Sequence, residues 1–457
     1  MANIGKRDKV LKSIFEVLQE APLTALRQKL SDRMILQACF EAGYTFRRRK
    51  YGPVCIVFHF LLQAIQREES FAGTWQEIAG KGAAQMGLDE LSFNSSAISQ
   101  ARSRFPKAAF DSLVNMFYRV DKSCFGRWRG MRLLALDSTT VSMPAEDALF
   151  EHFGRHKARG REVRYPLGTF SALLSVGTSL ILDYGFGAYN PAEITSATDL
   201  LKGISEGDLL LADRHFAGSP SLGRIMERKA DFLMRKNARL VIRNLPVIER
   251  LGNNDFITEI PMDRAARRSD PSLPAKVRVR LCKGSWRSPE GRSLQEWFVT
   301  SLMDNKRFKG RALARCYHER WRIETSFWEF KVLFHGDVLR SKTVENVQKE
   351  FCAHVLAYQL VRLLIVEAAK KHHKQPREIS FLHAARWVIA FSARMCVAPP
   401  AQLMQMYERM IQAIASTGLA SRPARTEPRV IMREKMHYPR SKISRLQWLE
   451  NRLKGVA

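Results

Sequence analysis

Two carboxylates stand at matching places in two apolar runs. Leu133-Leu134-Ala135-Leu136 leads into Asp137, and Leu209-Leu210-Leu211-Ala212 leads into Asp213. A short apolar run that stops at a charge reads as a buried strand whose end carries that charge. A carboxylate there is costly unless a cation or a metal ion meets it. Taken singly, each Asp reads as a turn or cap residue. Taken together, on adjacent strands of one mixed α/β unit, they reach a common sheet edge and suggest a shared metal site.

The third carboxylate lies in Tyr317-His318-Glu319-Arg320-Trp321-Arg322-Ile323-Glu324, which continues to Lys331. On a straight helix, at about 100° per residue, Tyr317, Arg320 and Lys331 fall within roughly 40° of Glu324. Glu319 and Glu329 fall roughly 140° away and serve as internal controls for Glu324. One carboxylate, two cations and a phenol then share a face. A solvated stripe of i,i+4 Arg–Glu pairs has the same charges. It gives no reason for Tyr317 to stand in line, nor for two strand-end Asp residues upstream.

Three carboxylates suit hard cations such as Mg²⁺, which prefer oxygen ligands. Two such ions about 3.5–4 Å apart can activate an attacking oxygen and stabilise a leaving one in phosphodiester chemistry, without a protein nucleophile. Arg320 and Lys331 would hold the phosphate oxygens of such a substrate beside the ions. Arg235, at the end of the run Phe232–Met234, offers another phosphate contact; a plain surface Arg is the equal alternative. His215 follows Asp213 closely but reads as structural, because two-metal chemistry does not require it.

Composition points to a polyanionic partner. The 457 residues carry 74 Lys plus Arg against 45 Asp plus Glu, a net charge of +29. A globular chain this basic most often meets nucleic acid or an anionic membrane. An aromatic fraction of 10% is too high for a disordered basic tail. The seven Cys are scattered and form no CxxC pair, which argues against a disulfide framework or a structural zinc site. The apolar stretches Val54–Ile65 and Phe351–Ala369 are interrupted by polar residues and read as helices buried on one face, so no membrane partner is expected.

The elements that must position the site follow from periodicity. Residues 1–128 have helical spacing, with basic clusters at Arg47–Lys50 and at Arg102, Arg104 and Lys107. The second cluster reads as a short helix whose Arg face enters a DNA groove, or as a solvated face. Residues 129–240 read as β-β-β-α-β-α-β, with a helix over Pro191–Ile204. Residues 241–308 read as a β-rich insertion, with strands at Val247–Met262, Lys276–Lys283 and Glu296–Met303 and an exposed linker at Arg267–Pro274. Helical spacing resumes over 309–375 and continues to about residue 415 in a C-terminal region, 376–457, that is helical and then a basic tail. The tail Ser421–Ala457 is basic, Pro-containing and reads as extended and phosphate-seeking.

Tyr317, Arg320, Glu324 and Lys331 together spell Tyr-x2-Arg-x3-Glu-x6-Lys, which resembles the YREK signature of bacterial DDE transposases of the insertion-sequence-four family. Ala135-Leu136-Asp137-Ser138-Thr139-Thr140 and Ala212-Asp213-Arg214-His215-Phe216 resemble that family's Asp motifs. Leu339–Thr343 and Ala357-Tyr358-Gln359-Leu360 resemble it too, and the likeness covers about residues 20–440. It implies an α/β fold: an RNase H-like mixed-sheet core with a β-rich insertion, a helical N-terminal DNA-binding domain and a helical C-terminal region. It implies Asp137, Asp213 and Glu324 as catalytic metal ligands for two Mg²⁺, with Mn²⁺ as a substitute. Tyr317, Arg320, Lys331, Arg235 and Trp297 would contact DNA. Trp297 enters because family members that form a DNA hairpin support a flipped base with a Trp in a similar place; a buried strand aromatic is the competing reading. The implied activity is binding of terminal inverted repeats, strand cleavage and strand transfer by a bacterial cytoplasmic protein, a homodimer on two element ends. A nuclease without joining activity, or an inactive domesticated DNA-binding protein, remain the alternatives.

Overall fold

The computed structural model describes residues 24–46, 51–65, 71–76, 95–117, 125–155, 157–158, 161–189, 199–287, 293–333, 335–395, 398–419, 446–447 and 450–451. The basic cluster 47–50, residues 191–198 and most of the tail from 421 lie outside these. Residues 1–419 make one unit, and 420–457 a second, of which the four described residues are helical.

One large mixed sheet organises the first unit. Its strands are β1 (Met131–Ser142), β2 (Leu167–Ser175), β3 (Ile181–Ala188), β4 (Asp208–Ala212), β5 (Asp231–Arg235), β6 (Glu249–Gly252), β7 (Asp255–Pro261), β8 (Lys276–Arg287) and β9 (Ser293–Thr300). The order is β3-β2-β1-β4-β5-β9-β8-β7-β6, with the short strand Arg127–Trp128 also paired to β1. β4 pairs parallel to both β1 and β5. The β1–β2, β2–β3 and β5–β9 pairs are antiparallel. The residues of 241–308 therefore do not form a separate sheet but extend the central one beyond β5.

The period of two along each strand divides the core in two. Leu133, Ala135, Leu209, Leu211 and Leu233 face one apolar cluster, whereas Leu134, Leu136, Leu210, Phe232 and Met234 face the other. The first face is covered by long apolar helices. α2 (Pro53–Ile65) is buried at every residue, as expected of a helix that is apolar all round. It follows α1 (Asp32–Glu41) and precedes α3 (Ser96–Arg104) and α4 (Lys107–Phe117). The chain then adds α5 (Asp147–Phe153), α6 (Ser219–Glu227), α7 (Arg264–Ser269), α8 (Gly310–His318), α9 (Trp321–Trp328), α10 (Val344–Lys371), α11 (Phe381–Met395) and α12 (Pro400–Ser416). α10 is long and apolar enough to cross a bilayer, but its most apolar stretch is 83% buried inside the fold. Gln359 on α10 takes both the N–H and the C=O of Ile181, at 3.0 and 2.9 Å, and so seals the start of edge strand β3.

Several local expectations change. β1 runs through Asp137 to Ser142, so that Asp sits inside a strand and not at its end. Helix α5 interrupts the three expected consecutive strands. Of the helix expected over 191–204, the described part is α-helical at Asp199 and Leu200 and passes into a short 3-10 turn at Leu201–Gly203. The run 247–262 is a hairpin, because Asn254 takes a left-handed φ of 58° in the turn between β6 and β7. The linker 267–274 starts as helix α7. In the cluster of Arg102, Arg104 and Lys107, Arg102 is buried, donating to Gln63 at 3.2 Å and Ser341 at 2.9 Å and stacking on Phe60. Lys107 pairs with Asp111 at 2.6 Å. Only Arg104 remains exposed, so the expected Arg face is mostly spent on packing.

Candidate active site

The strand register brings the two Asp residues together. Leu136 pairs with Ala212 across β1 and β4, and Ala212 with Met234 across β4 and β5. One residue further, Asp137, Asp213 and Arg235 follow as neighbours. All three continue the alternation of Leu133, Leu209 and Leu233, so they belong to the same face of the sheet. Asp213 N-caps a 3-10 turn, accepting from Arg214 N at 2.7 Å, and its other oxygen meets His215 Nδ1 at 3.3 Å. His215 therefore touches Asp213 directly.

Glu324 arrives from α9, and Arg320 joins it to Asp137. The guanidinium donates to Asp137 Oδ2 at 3.0 Å and to Glu324 Oε1 at 2.8 Å. Burial works against this cation, but Tyr317, Asp137 and Glu324 outweigh it and raise its pKa above the ordinary value. The three carboxylates remain reachable: the side chains of Asp137, Asp213 and Glu324 are 20%, 30% and 40% exposed. An all-oxygen set of that kind fits a hard divalent cation. Among the described residues no three such groups are already closed around one point, since Arg320 stands between two of them.

Tyr317 is buried against Phe298, ring to ring at 5.2 Å. The guanidinium carbons of Arg235 and Arg320 lie 5.7 and 5.9 Å from its ring. Burial pushes the phenol up to about 12; Arg320 and Arg235 oppose that and Asp213 adds to it. The hydroxyl therefore stays protonated, a neutral donor beside Asp213. Arg235 keeps its Nε buried and, among the described residues, without a hydrogen-bond partner.

The single-helix geometry expected from Tyr317 to Lys331 does not hold. α8 ends at His318, and i→i+3 bonds join Glu319 N to Cys316 O and Arg320 N to Tyr317 O, both at 3.0 Å. Such bonds tighten the turn and advance each residue by more than the α-helical step. The Arg320–Glu324 i,i+4 pair survives because it lies within α9 and its cap. Lys331 falls on a π-helical turn, Glu329–Leu333, half-buried, its ammonium pulled down by burial and partly restored by Asp337. Glu329 does point away, but into the core, where it pairs with buried Arg362. It is not a neutral control.

Trp297 is corrected as well. Its indole packs with the other face of the sheet, edge-on to Phe256 at 6.2 Å. Its carbonyl accepts from Lys236 N at 2.8 Å, one residue past Arg235. Two aromatics that the sequence reading passed over are Trp321 and Trp328, 53% and 54% exposed on α9. Their i,i+7 spacing, which brackets Glu324, was the available signal.

The family model of the transposase DDE domain matches residues 128–360. The chain is 25% identical over 437 residues to the transposase InsG for insertion sequence element IS4 of Escherichia coli strain K12, covering 92% of this chain and 94% of that one. Among solved structures it is similar to a piggyBac transposase in a synaptic complex with hairpin DNA, with a TM-score of 0.44, 9% identity and coverage of 86% and 85%. The matched domain spans both Asp-bearing strands and the Glu-bearing helix, and the IS4 likeness runs nearly end to end: the chain belongs to the DDE transposases of the insertion-sequence-four type, enzymes that bind, cut and transfer DNA.

Proposed function

We propose that Asp137, Asp213 and Glu324 are the metal-holding catalytic residues and that the chain cuts the ends of its own element and joins them to target DNA. The observation that carries this reading is the register: two Asp side chains on one face of adjacent parallel strands, tied to Glu324 through one arginine. The order β3-β2-β1-β4-β5, with β2 reversed, supports an RNase H-like core. Two Mg²⁺, with Mn²⁺ as a substitute, would supply Lewis-acid stabilisation of the attacking and leaving oxygens of an in-line phosphoryl displacement. Arg320, once drawn to a DNA phosphate, would release both carboxylates; its planar fork suits two phosphate oxygens as it suits two carboxylates. Tyr317 would donate a hydrogen bond from its hydroxyl to the same phosphate, and Arg235 and Lys331 would add charge from the flanks.

The helical front of residues 1–128 and the basic tail would grip the element ends. A transposase holds two ends at once, so the working form would be a homodimer. The test is a strand-transfer assay on duplexes that carry the element's own ends, with Mg²⁺ added. Joining supports the transposase; cleavage without joining indicates a plain nuclease, and binding alone indicates an inactive DNA-binding protein. Mass measurement with short end duplexes tests the dimer: one protein on one end that completes transfer overturns it.

A further inference from the structure

The connection from β7 to β8 carries positive charge that the catalytic reading leaves unused. Asp263 caps α7, accepting from Ala266 N at 2.9 Å. Met262 and Leu273 are buried and anchor both ends of the segment. They press against Gly223 of α6, where a Cβ would meet Met262 Cε at 2.9 Å. The segment is held on the core and does not swing from it.

Arg264, Arg267 and Arg268 follow at i, i+3 and i+4, on one side of the helix. All three are exposed, and with Met262, Pro271 and Ala275 they line an open concavity of about 600 Å³. Among the described residues no carboxylate pairs with any of the three. The acids nearby are engaged elsewhere: Asp263 at the helix cap, Asp270 with Arg224 at 3.6 Å, Glu259 with Lys276 at 3.2 Å. Like charges at this spacing weaken a short helix, and the Asp263 cap is its local support.

We propose that this concavity is a second seat for duplex DNA, taking the sugar–phosphate backbone away from the phosphate that is cut. Register sets its place. Cys282 on β8 pairs with Phe298, which pairs with Arg235. Lys276, where the patch begins, lies back along β8 by roughly 20 Å at about 3.4 Å per residue, toward the end of the sheet opposite the carboxylates. Met262 and Leu273 pack on the other face of the sheet, so the seat takes a stretch of duplex outside the one being cut. The guanidinium fork matches phosphate oxygens and reads no base from there. The inference rests on DNA being the substrate but not on the metal site.

The experiment compares the full chain with Arg264→Ser/Arg267→Ser/Arg268→Ser and with the triple Lys variant. Affinity is measured over a salt series for a duplex of roughly thirty base pairs bearing an element end, and for an unrelated duplex. Each lost phosphate contact should remove about 0.9 from the slope of log affinity against log salt, so two or three contacts remove about 2 to 3. The Lys variant should keep most of the slope. Loss with the end duplex alone assigns the seat to the element end; loss with both assigns it to target DNA as well. Unchanged slopes with both duplexes, or a loss that Lys does not restore, overturn the proposal. Failure of the metal reading would appear separately, as cleavage by Asp137→Asn with these slopes intact.

Discussion

Glu324 and Glu329 lie five residues apart, and neutralising each should have opposite consequences. Glu324 is 40% exposed and bonds Arg320 at 2.8 Å. A pair this open contributes about 0.2–1 kcal/mol, so Glu324→Gln should unfold within about 1 kcal/mol of the parent while losing cleavage altogether. Glu329 is 9% exposed, and its partner Arg362 is 3% exposed. Arg362 Nε also donates to Tyr358 Oη at 3.1 Å, and its guanidinium lies against the rings of Tyr358 and Phe381. Stripping one partner from a buried pair costs about 3–5 kcal/mol. The Gln amide oxygen still accepts one hydrogen bond, which puts the expectation near 3 kcal/mol, at the bottom of that range. At a urea slope of about 3 kcal/mol/M this moves the midpoint by about 1 M. The assay is urea unfolding beside cleavage of an end duplex with Mg²⁺, run well below the transition, where Glu329→Gln should still cut. Adding Arg362→Met to Glu329→Gln should recover most of the loss. Equal midpoint shifts for the two Gln variants, or a Glu329→Gln midpoint at the parent value, would refute the assignment of one residue to chemistry and the other to the core.

Asp137→Asn and Asp213→Asn should each abolish cleavage and leave end binding largely intact in a gel-shift assay; near-parent cutting by either removes that residue from the site. Lys349, fully buried, donates to the carbonyls of Arg102, Ser103 and Phe105 at the C-terminal end of α3. Lys349→Met should cost about 3 kcal/mol and expose the front helices to limited proteolysis before the sheet. Deleting Ser421–Ala457 should flatten the salt dependence of DNA affinity, and an unchanged slope would mean that the tail does not touch DNA. Glu367 is pushed up by burial but lowered overall by Lys29, Tyr407 and Lys371. Its contribution should be full above the unfolded carboxylate value near pH 4.3 and fade as the pH falls below it; identical acid transitions for Glu367→Gln and the parent would disprove this.

What the sequence disclosed and what it hid divide along physical lines. The runs 133–136 and 209–212 announced strands because both faces are buried, and the Asp residues that follow were legible as charges with nowhere apolar to go. The Arg320–Glu324 pair was legible because i,i+4 contacts need only local geometry. Lys331 was placed on one regular helix because a π-turn and a pair of tightened turns leave no compositional trace, and Glu329 looked like a neutral control because its partner Arg362 is far away in sequence. Arg102 looked like a surface cation because its neighbours Gln63, Ser341 and Glu350 are far away in sequence. The hairpin at Gly252-Asn253-Asn254 did carry its signal, in residues that tolerate left-handed backbone, but the β-rich run on both sides masked it. The indole of Trp297 fell on the unexpected face because strand register, set by pairing with β5, decides side-chain direction.

The sheet that continues past β5 has a consequence for how such a protein can change over evolutionary time. Each strand added beyond β5 is antiparallel to its neighbour, so a hairpin can be gained or lost at the outer rim without shifting β1, β4 or β5 against one another. That rim ends in β6, four residues long and carrying Glu249 and Arg250, too short and too charged to recruit a foreign strand. The opposite rim, β3, is pinned at its first residue by Gln359 of the buried helix α10 and has less of that freedom. Inherited variation in length should therefore gather on the β6 side, where lineages can rebuild what touches DNA while the two aspartates keep their spacing.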